Sequence, residues 1–363
     1  MQSEPQSPSP SPSPILGIGL VNIGNTCFLN SCLQILIHTN HLDEYMDKTT
    51  APGTAPSATI SDIYSEYNAL RIDYTNQMDN NNNKSSSSLR PNRLVMAIHN
   101  HAMKTNATNF MGWSQNDICE FLYFFIEGLQ LIVAPNDTSF TNTLNSNSTI
   151  STICQDYQKH FFANDDGLKQ LFYGFLCTKI IDVEQTKILS AIPEAFLILT
   201  LPVPLMDRCN LEDCLNQYTG TEFMHSENAW ERNDNSGIKE NVWKTTSICA
   251  CPQILVIMLN RCCFLSTGRI KNNSFVTIPV QLGITTDAVS YGYELYGVCN
   301  HIGNDLHGHY TASVKSRCRN NNWIHCNDES VCEINIDDVI GRDGRDAYCI
   351  FYTCIKKELI NPA

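Results

Sequence analysis

The sequence predicts an α+β fold, a helical first half followed by a strand-rich second half, with a cleft where the two meet. Three observations carry this prediction. Apolar residues recur at helical spacing over residues 27–39 and 114–129. Beyond residue 196, short apolar or alternating runs follow one another, separated by clusters of Gly, Asn and Asp, as antiparallel strands require. Hydrophobic residues make up 42% of the 363, enough for a sizeable core in one large domain or two.

The elements follow in chain order. Residues 1–14, MQSEPQSPSPSPSP, read as a disordered Ser/Pro tail; they have neither the basic nor the apolar segment of a secretion signal. Residues 48–59, 80–88 and 136–152 are small and polar, and such stretches bury too little apolar surface to offset chain entropy. The first helix is expected over 27–39, with Leu29, Cys32, Leu33 and Leu36 on one face and Asn25 or Thr26 as its N-cap. A second opens at Ser114, with Asp117 three residues on as a capping-box variant, and its apolar stripe is Ile118, Phe121, Leu122, Phe125 and Leu129. Strands are expected over 197–202, 254–259, 275–280, 293–299, 310–315 and 347–352.

Charge and cysteine usage narrow the function classes. Lys and Arg number 24 against 37 Asp and Glu, a formal charge of −13, which provides no footprint for nucleic acid or an anionic membrane. No apolar run reaches the roughly 18 residues of a membrane span; the nearest, 121–134, is interrupted by Glu127 and Gln130. The chain reads as intracellular, cytoplasmic and/or nuclear. Seventeen cysteines in a long chain without a leader point to reduced thiols. No C-x2-C pair occurs, so no zinc and no cofactor are expected. Most of the cysteines read as small buried hydrophobes.

One cysteine is placed differently. Cys27 stands at the first turn of the first helix, directly after Gly24-Asn25-Thr26. Helix N–H groups and the dipole there favour a thiolate, lowering a thiol from about 8.5 into the range of roughly 3.5–7.5. His309 lies where the Gly-rich run 303–308 turns into a strand. Its alternatives are a core histidine or a metal pair with His307, but no further ligand set accompanies that pair. Asn327-Asp328 supplies an amide or carboxylate able to accept an imidazole N–H, or an ordinary turn. The order Cys, His, Asn is that of papain-like proteases, although the Cys-to-His separation far exceeds papain's.

Longer motifs sharpen this. Residues 19–34, GLVNIGNTCFLNSCLQ, resemble the cysteine box of the ubiquitin-specific proteases, papain-like deubiquitinases. Residues 301–310, HIGNDLHGHY, resemble the histidine box, continued by Trp323-Ile324-His325-Cys326-Asn327-Asp328 and Val331. Gln115-Asn116-Asp117-Ile118-Cys119-Glu120-Phe121-Leu122 is similar to a motif between them, as are 252–261, PQILVIMLNR, to the palm strand and 347–352, AYCIFY, to the closing strand. The resemblance implies a thumb, palm and fingers architecture over 15–355, with the thumb at about 15–170, palm and fingers at about 171–355, and a tail at 356–363. It implies hydrolysis of the peptide or isopeptide bond after the C-terminal glycine of ubiquitin. The alternatives are a catalytically dead ubiquitin-binding scaffold or a protease for another ubiquitin-like modifier.

By position, Cys27 matches the nucleophile, His309 the general base and acid, Asn327 the orienting residue and Asp328 a neighbouring acidic residue. Asn22 matches the oxyanion donor. Gln34, Asp117, Glu120, Gly308 and Tyr310 match positions that contact the ubiquitin tail; Asp117 and Glu120 also read as an acidic first helical turn. Gly303 to Gly308 matches a loop over the cleft. The chain departs from the family at the fingers. Many relatives carry two zinc-binding C-x2-C pairs, where this sequence has Ile180-Ile181-Asp182-Val183-Glu184-Gln185 and a cysteine-free stretch at 232–235. A metal-free fingers region follows, and Asn260-Arg261-Cys262 replaces the usual Lys-Arg-Phe of the palm strand.

Overall fold

A computed structural model describes residues 17–50, 61–80, 88–130, 150–165, 167–232, 237–265, 268–304, 307–318, 322–342 and 344–360. The Ser/Pro tail and most of 48–59, 80–88 and 136–152 lie outside these residues. Where the edges of those stretches are described they are largely helical, because apolar neighbours such as Met46, Met78 and Ile153 carry the adjoining helices into them.

Among the described residues, seven α-helices precede the first strand: α1 (Cys27–Ile37), α2 (Asn40–Thr50), α3 (Asp62–Asn80), α4 (Asn92–Thr105), α5 (Ile118–Leu129), α6 (Ile150–Phe161) and α7 (Leu168–Phe172). Every residue of α1 is buried, so it is a core helix with neighbours all round. It is two residues shorter than the periodicity predicts. The start of α5 also differs from expectation. Asp117, not Ser114, is its N-cap, and the carboxylate accepts the N–H groups of Cys119 and Glu120.

Two sheets dominate the rest. The chain continues through β1 (Gly174–Ile181), β2 (Ile188–Phe196), β3 (Ile198–Pro202), β4 (Arg208–Asn210), α8 (Leu211–Thr219), β5 (Thr221–Met224), β6 (Trp230–Glu231), β7 (Lys239–Glu240) and β8 (Val242–Ala250). It then forms β9 (Ile254–Asn260), β10 (Cys262–Leu265), β11 (Gly268–Lys271), β12 (Phe275–Thr277), β13 (Gln281–Thr285), β14 (Val289–Gly303) and β15 (Gly308–Lys315). It closes with β16 (Trp323–Asn327), β17 (Ser330–Ile334), α9 (Ile336–Arg342) and β18 (Ala347–Leu359). The order β2-β1-β8-β5 makes the antiparallel fingers sheet. The palm sheet runs β17-β16-β15-β14-β18-β9-β3, with β13 added on β14 and a single parallel pair, β3 with β9.

Alternation along the palm strands divides the core in two. Cys349 and Phe351 of β18 face the helices and pack in one cluster with α1 and α5, while Ile350 and Tyr352 face a second cluster with Leu255 and Ile257. The last strand outruns its sequence signal. Residues 356–359, read as a tail, pair with the start of β14 as far as Val289 opposite Leu359. Both faces of that end meet solvent, so no apolar alternation marks it.

Arg261, the residue that Asn260-Arg261-Cys262 shares with the usual Lys-Arg-Phe, is a hub. Its buried guanidinium donates to the carbonyls of Ala347 at 2.8 Å, Asn272 at 3.0 Å, Ser274 at 2.8 Å and Gly344 at 2.9 Å. Burial brings its pKa down to about 10, so it remains charged at neutral pH. Arg261→Met is expected to lower unfolding free energy by about 3–5 kcal/mol in denaturant melts, because it orphans four buried carbonyls.

His38 is a buried histidine of the core. Its Nδ1 accepts the Arg317 N–H at 3.4 Å, so the proton sits on Nε2, 3.1 Å from the Tyr74 hydroxyl. Burial first, then the Arg317 charge, push it down from 6.5 to about 3. Between those values the unfolded chain binds a proton that the folded chain refuses, so stability falls as pH drops below 6.5. His38→Gln should flatten the pH dependence of stability over pH 4–6 by about 1.4 kcal/mol per unit, read from melts at several pH values.

Candidate active site

The chain entering α1 is clamped from two sides. Leu20 N–H donates to the Asp328 carbonyl at 2.9 Å and Val21 N–H to the Leu89 carbonyl at 2.8 Å, while Leu89 N–H donates to Gly19. A Cβ on Gly19 would lie 2.2 Å from the Glu329 carbonyl oxygen, so only glycine permits this approach. Asn22 then organises the turn into the helix. Its Oδ1 accepts the N–H of Gly24 at 3.1 Å and of Thr26 at 3.2 Å, together with the Thr26 hydroxyl. Thr26 occupies the N-cap position but makes no side-chain cap of its own.

Cys27 is therefore the first residue of α1, 3% exposed. Backbone N–H groups of Tyr310, Phe28 and Cys27 itself point at its sulfur. Burial nevertheless pushes the thiol above its ordinary range, and the Asp328 charge adds to this. The sequence expectation of a lowered value is thus corrected: desolvation outweighs the helix N-terminus.

His309 lies on β15, one residue before the Tyr310 N–H that meets the Cys27 sulfur, and opposite Ile302 of β14. Its Nε2 is 2.7 Å from Asn327 Oδ1. An amide oxygen only accepts, so Nε2 carries the proton and Nδ1 keeps its lone pair. Asn327 ends β16, and the next residue, Asp328, turns in the left-handed region at φ 49°. The Asp328 carboxylate accepts from Asn22 Nδ2 at 2.9 Å and from Asn30 Nδ2 at 2.8 Å. Asn22, Cys27, His309, Asn327 and Asp328 thus converge from three elements.

A cleft of about 580 Å³ opens beside Cys27, bordered by Asp117, Glu120, Gly308 and Tyr310. Gln34 does not reach it. That side chain is buried behind α1, its amide donating to the Ile18 carbonyl at 2.8 Å, so its reading as a tail contact is corrected. Both oxygens of Asp117 are engaged, one in the α5 cap and one by the Tyr348 hydroxyl at 2.6 Å. Glu120 is exposed and accepts from Asn109 at 3.2 Å. Tyr310 is buried, its ring 4.7 Å from His301. Gly308 has a reason that spacing did not reveal: a Cβ there would meet the His301 ring at 2.1 Å.

Other cleft residues escaped the sequence reading. Gln115 donates to the Gly308 carbonyl at 3.2 Å, joining thumb to palm, and Lys271 donates to the carbonyls of His301 and Gly303. Gln115 stood in a recognised motif, so its signal was present; Lys271, on the β10–β11 hairpin, had none. The loop over the cleft is described except for residues 305–306, and it closes through Asn304 N–H to the His307 carbonyl at 2.9 Å.

At the fingertip the described residues are tied together by hydrogen bonds and an aromatic contact. Asp182 accepts from Thr186 N–H at 2.7 Å, Lys187 N–H at 2.9 Å and the Thr186 hydroxyl at 2.7 Å, which closes the β1–β2 turn by hydrogen bonds. Trp243 packs 4.6 Å from Phe223 nearby and donates its indole N–H to the Val183 carbonyl. Residues 233–236 of the facing turn lie outside the described residues.

Comparison with known proteins places this geometry. The family description "Ubiquitin carboxyl-terminal hydrolase" matches residues 18–352. Ubiquitin carboxyl-terminal hydrolase 21 of Bos taurus is 28% identical over 368 residues, covering 94% of this chain and 62% of the relative. Ubiquitin carboxyl-terminal hydrolase 4 of Arabidopsis thaliana is 26% identical over 332 residues, covering 86% of this chain and 84% of the relative. The chain thus spans about three fifths of the length of the first of these curated relatives. Among solved structures, a chain of the SAGA Ubp8/Sgf11/Sus1/Sgf73 DUB module bound to ubiquitin aldehyde superposes with a TM-score of 0.66 at 22% identity, covering 98% of this chain and 72% of that chain. That likeness establishes the thumb, palm and fingers fold, and the matched family description extends over nearly all the described residues. The chain belongs to the ubiquitin carboxyl-terminal hydrolase family.

Proposed function

We propose that this protein is a thiol-dependent deubiquitinase, hydrolysing the peptide or isopeptide bond after the C-terminal glycine of ubiquitin. One observation carries the reading: Cys27 opens the core helix against the Tyr310 N–H, one residue from a histidine whose Nε2 is 2.7 Å from Asn327. Its substrates are ubiquitinated proteins or chains. A cytoplasmic or nuclear setting is supported by seventeen cysteines that are all free thiols. Among the described residues no helix is long and apolar enough to cross a membrane.

The chemistry follows from the atoms available. His309 Nδ1 takes the Cys27 proton, and the sulfur attacks the scissile carbonyl carbon. The carbonyl oxygen gains the negative charge and turns toward the Asn22 amide, whose second N–H is not used by Asp328, and toward the Cys27 N–H. Collapse breaks the C–N bond as the imidazolium hands its proton to the leaving amine. Water, deprotonated by His309, then releases the thioester, and the thiol is restored. Asn327 fixes the ring's tautomer, which leaves Nδ1 as the nitrogen that exchanges the proton in both half-reactions. Because burial favours the neutral thiol, attack requires that His309 accept its proton. The exposed Glu120 carboxylate suits a basic side chain in the ubiquitin tail, and Asp117 acts mainly by holding α5 and Tyr348 in place.

A fluorogenic ubiquitin C-terminal amide tests the reading. Wild type should turn it over, and a ubiquitin probe with a C-terminal electrophile should modify Cys27 alone. Cys27→Ala should abolish turnover and leave ubiquitin binding intact; turnover surviving that change would sink the mechanism. Binding by wild type with no turnover would instead mark a scaffold, and preference for another modifier in parallel assays would mark a relative of different specificity. Asn22→Ala should lower kcat by about 10²–10³, equivalent to about 2.7–4 kcal/mol, with a small change in KM.

A further inference from the structure

Three cysteines outside the cleft meet where the fingers sheet joins the rest of the molecule. Cys154 comes from α6, Cys177 from β1 and Cys249 from β8, and their sulfurs all lie within 4.8 Å of one another. Cys154 Sγ and Cys249 Sγ are 3.2 Å apart. Cys154 and Cys177 are buried and Cys249 is half-buried. Among the described residues no other three ligand atoms of His, Cys, Asp or Glu come this close.

The backbone aims these side chains together. Phe175 pairs with Ala250 and Leu176 with Ile248, so a bulge leaves Cys249 without a partner across the ladder. Cys177 faces Ser247 two residues earlier, on the same strand. α6 packs over β1 and β2 and lowers Cys154 onto both, and the small Ala191 is the cluster's other buried member. No spacing in the sequence announces the group, because 95 residues separate Cys154 from Cys249.

We infer that Cys154, Cys177 and Cys249 form a three-thiolate site for a soft divalent cation, Zn²⁺. In a tetrahedral site with Zn–S near 2.3 Å, sulfurs stand about 3.8 Å apart, within the spread seen here. Thiolates are the ligands such an ion prefers, and the half-buried Cys249 leaves the fourth position to a water molecule. Binding exchanges up to three thiol protons for one metal ion, with no redox change. The site lies at the palm end of the fingers strands. Five residues separate Cys177 from Asp182 at the tip, roughly 16 Å along a strand, so it is separate from the fingertip where this chain lacks C-x2-C pairs. Its role is to tie α6 to the root of the fingers. The expectation of a metal-free chain, drawn from spacing alone, changes accordingly.

The test uses the full chain, purified reduced, stripped with chelator and titrated with Co²⁺ and then Zn²⁺. One Co²⁺ per chain with a thiolate-to-cobalt charge-transfer band, displaced by Zn²⁺, is the expected result, and native mass spectrometry should count one zinc. Cys154→Ser, Cys177→Ser and Cys249→Ser should each weaken zinc binding by about tenfold or more, since loss even of an outer partner typically costs about 10–100-fold. Cys332→Ser, on β17, should leave it unchanged. Chelation should lower the melting temperature of wild type and not of the serine variants. Absence of the band in wild type overturns the inference whatever the variants do, as does a band that survives all three substitutions, or a Cys154–Cys249 disulfide in the reduced protein as purified.

Discussion

The Asp328 carboxylate accepts the side-chain amides of Asn22 and Asn30, and the same residue's carbonyl accepts the Leu20 N–H. Through these contacts one left-handed turn of the palm grips both the loop before α1 and α1 itself. Everything proposed for the cleft depends on that grip, because Cys27 and His309 belong to different halves of the chain and have no covalent reason to meet. Gly19 allows it by letting the backbone pass Glu329 at a distance no side chain tolerates. The neighbouring residue, Asn327, orients the histidine ring. Two adjacent residues thus divide the work: one positions the helix, the other the imidazole.

Burial sets the resting state of this arrangement. Cys27 is surrounded by the apolar floor of α1 and receives N–H groups without becoming easy to ionise, since burial first, and the Asp328 charge after it, oppose ionisation. The clamp that aligns the site therefore also restrains the thiol. The cleft itself is framed by engaged groups: Asp117 by its helix cap and Tyr348, Gly308 by the His301 ring, Gln115 by the Gly308 carbonyl.

The fingers show a different economy of interactions. At the tip, the carboxylate of Asp182 and the Phe223–Trp243 contact hold the strands together. At the root, three thiols converge at a bulge. The sheet is thus pinned at both ends, by hydrogen bonds far from the palm and by sulfur near it, while Arg261 collects four carbonyls in the palm beyond.

Much of the fold was legible in the sequence where periodicity is tied to burial on one face. α1, α5 and the strands around 198–202, 254–260 and 347–352 lie where apolar spacing put them, displaced by a few residues at their ends. The fingers strands β1 and β8 were missed because their burial is mixed and their alternation weak, and the start of α5 was misplaced because Asp117 caps through its own carboxylate. Motifs with local spacing named Cys27, His309, Asn327 and Asn22. Gln34 was misassigned because its role was carried over from the cysteine-box resemblance, which does not reveal that this amide is buried against the Ile18 carbonyl. Sequence alone pointed to the groups to which the proposed acyl transfer is assigned, since that depends on residue type and nearby order. Only tertiary structure decided which carboxylate aligns them, how far burial restrains the thiol, and that Cys154, Cys177 and Cys249 share one point, because those properties arise from desolvation and from contacts between residues remote along the chain.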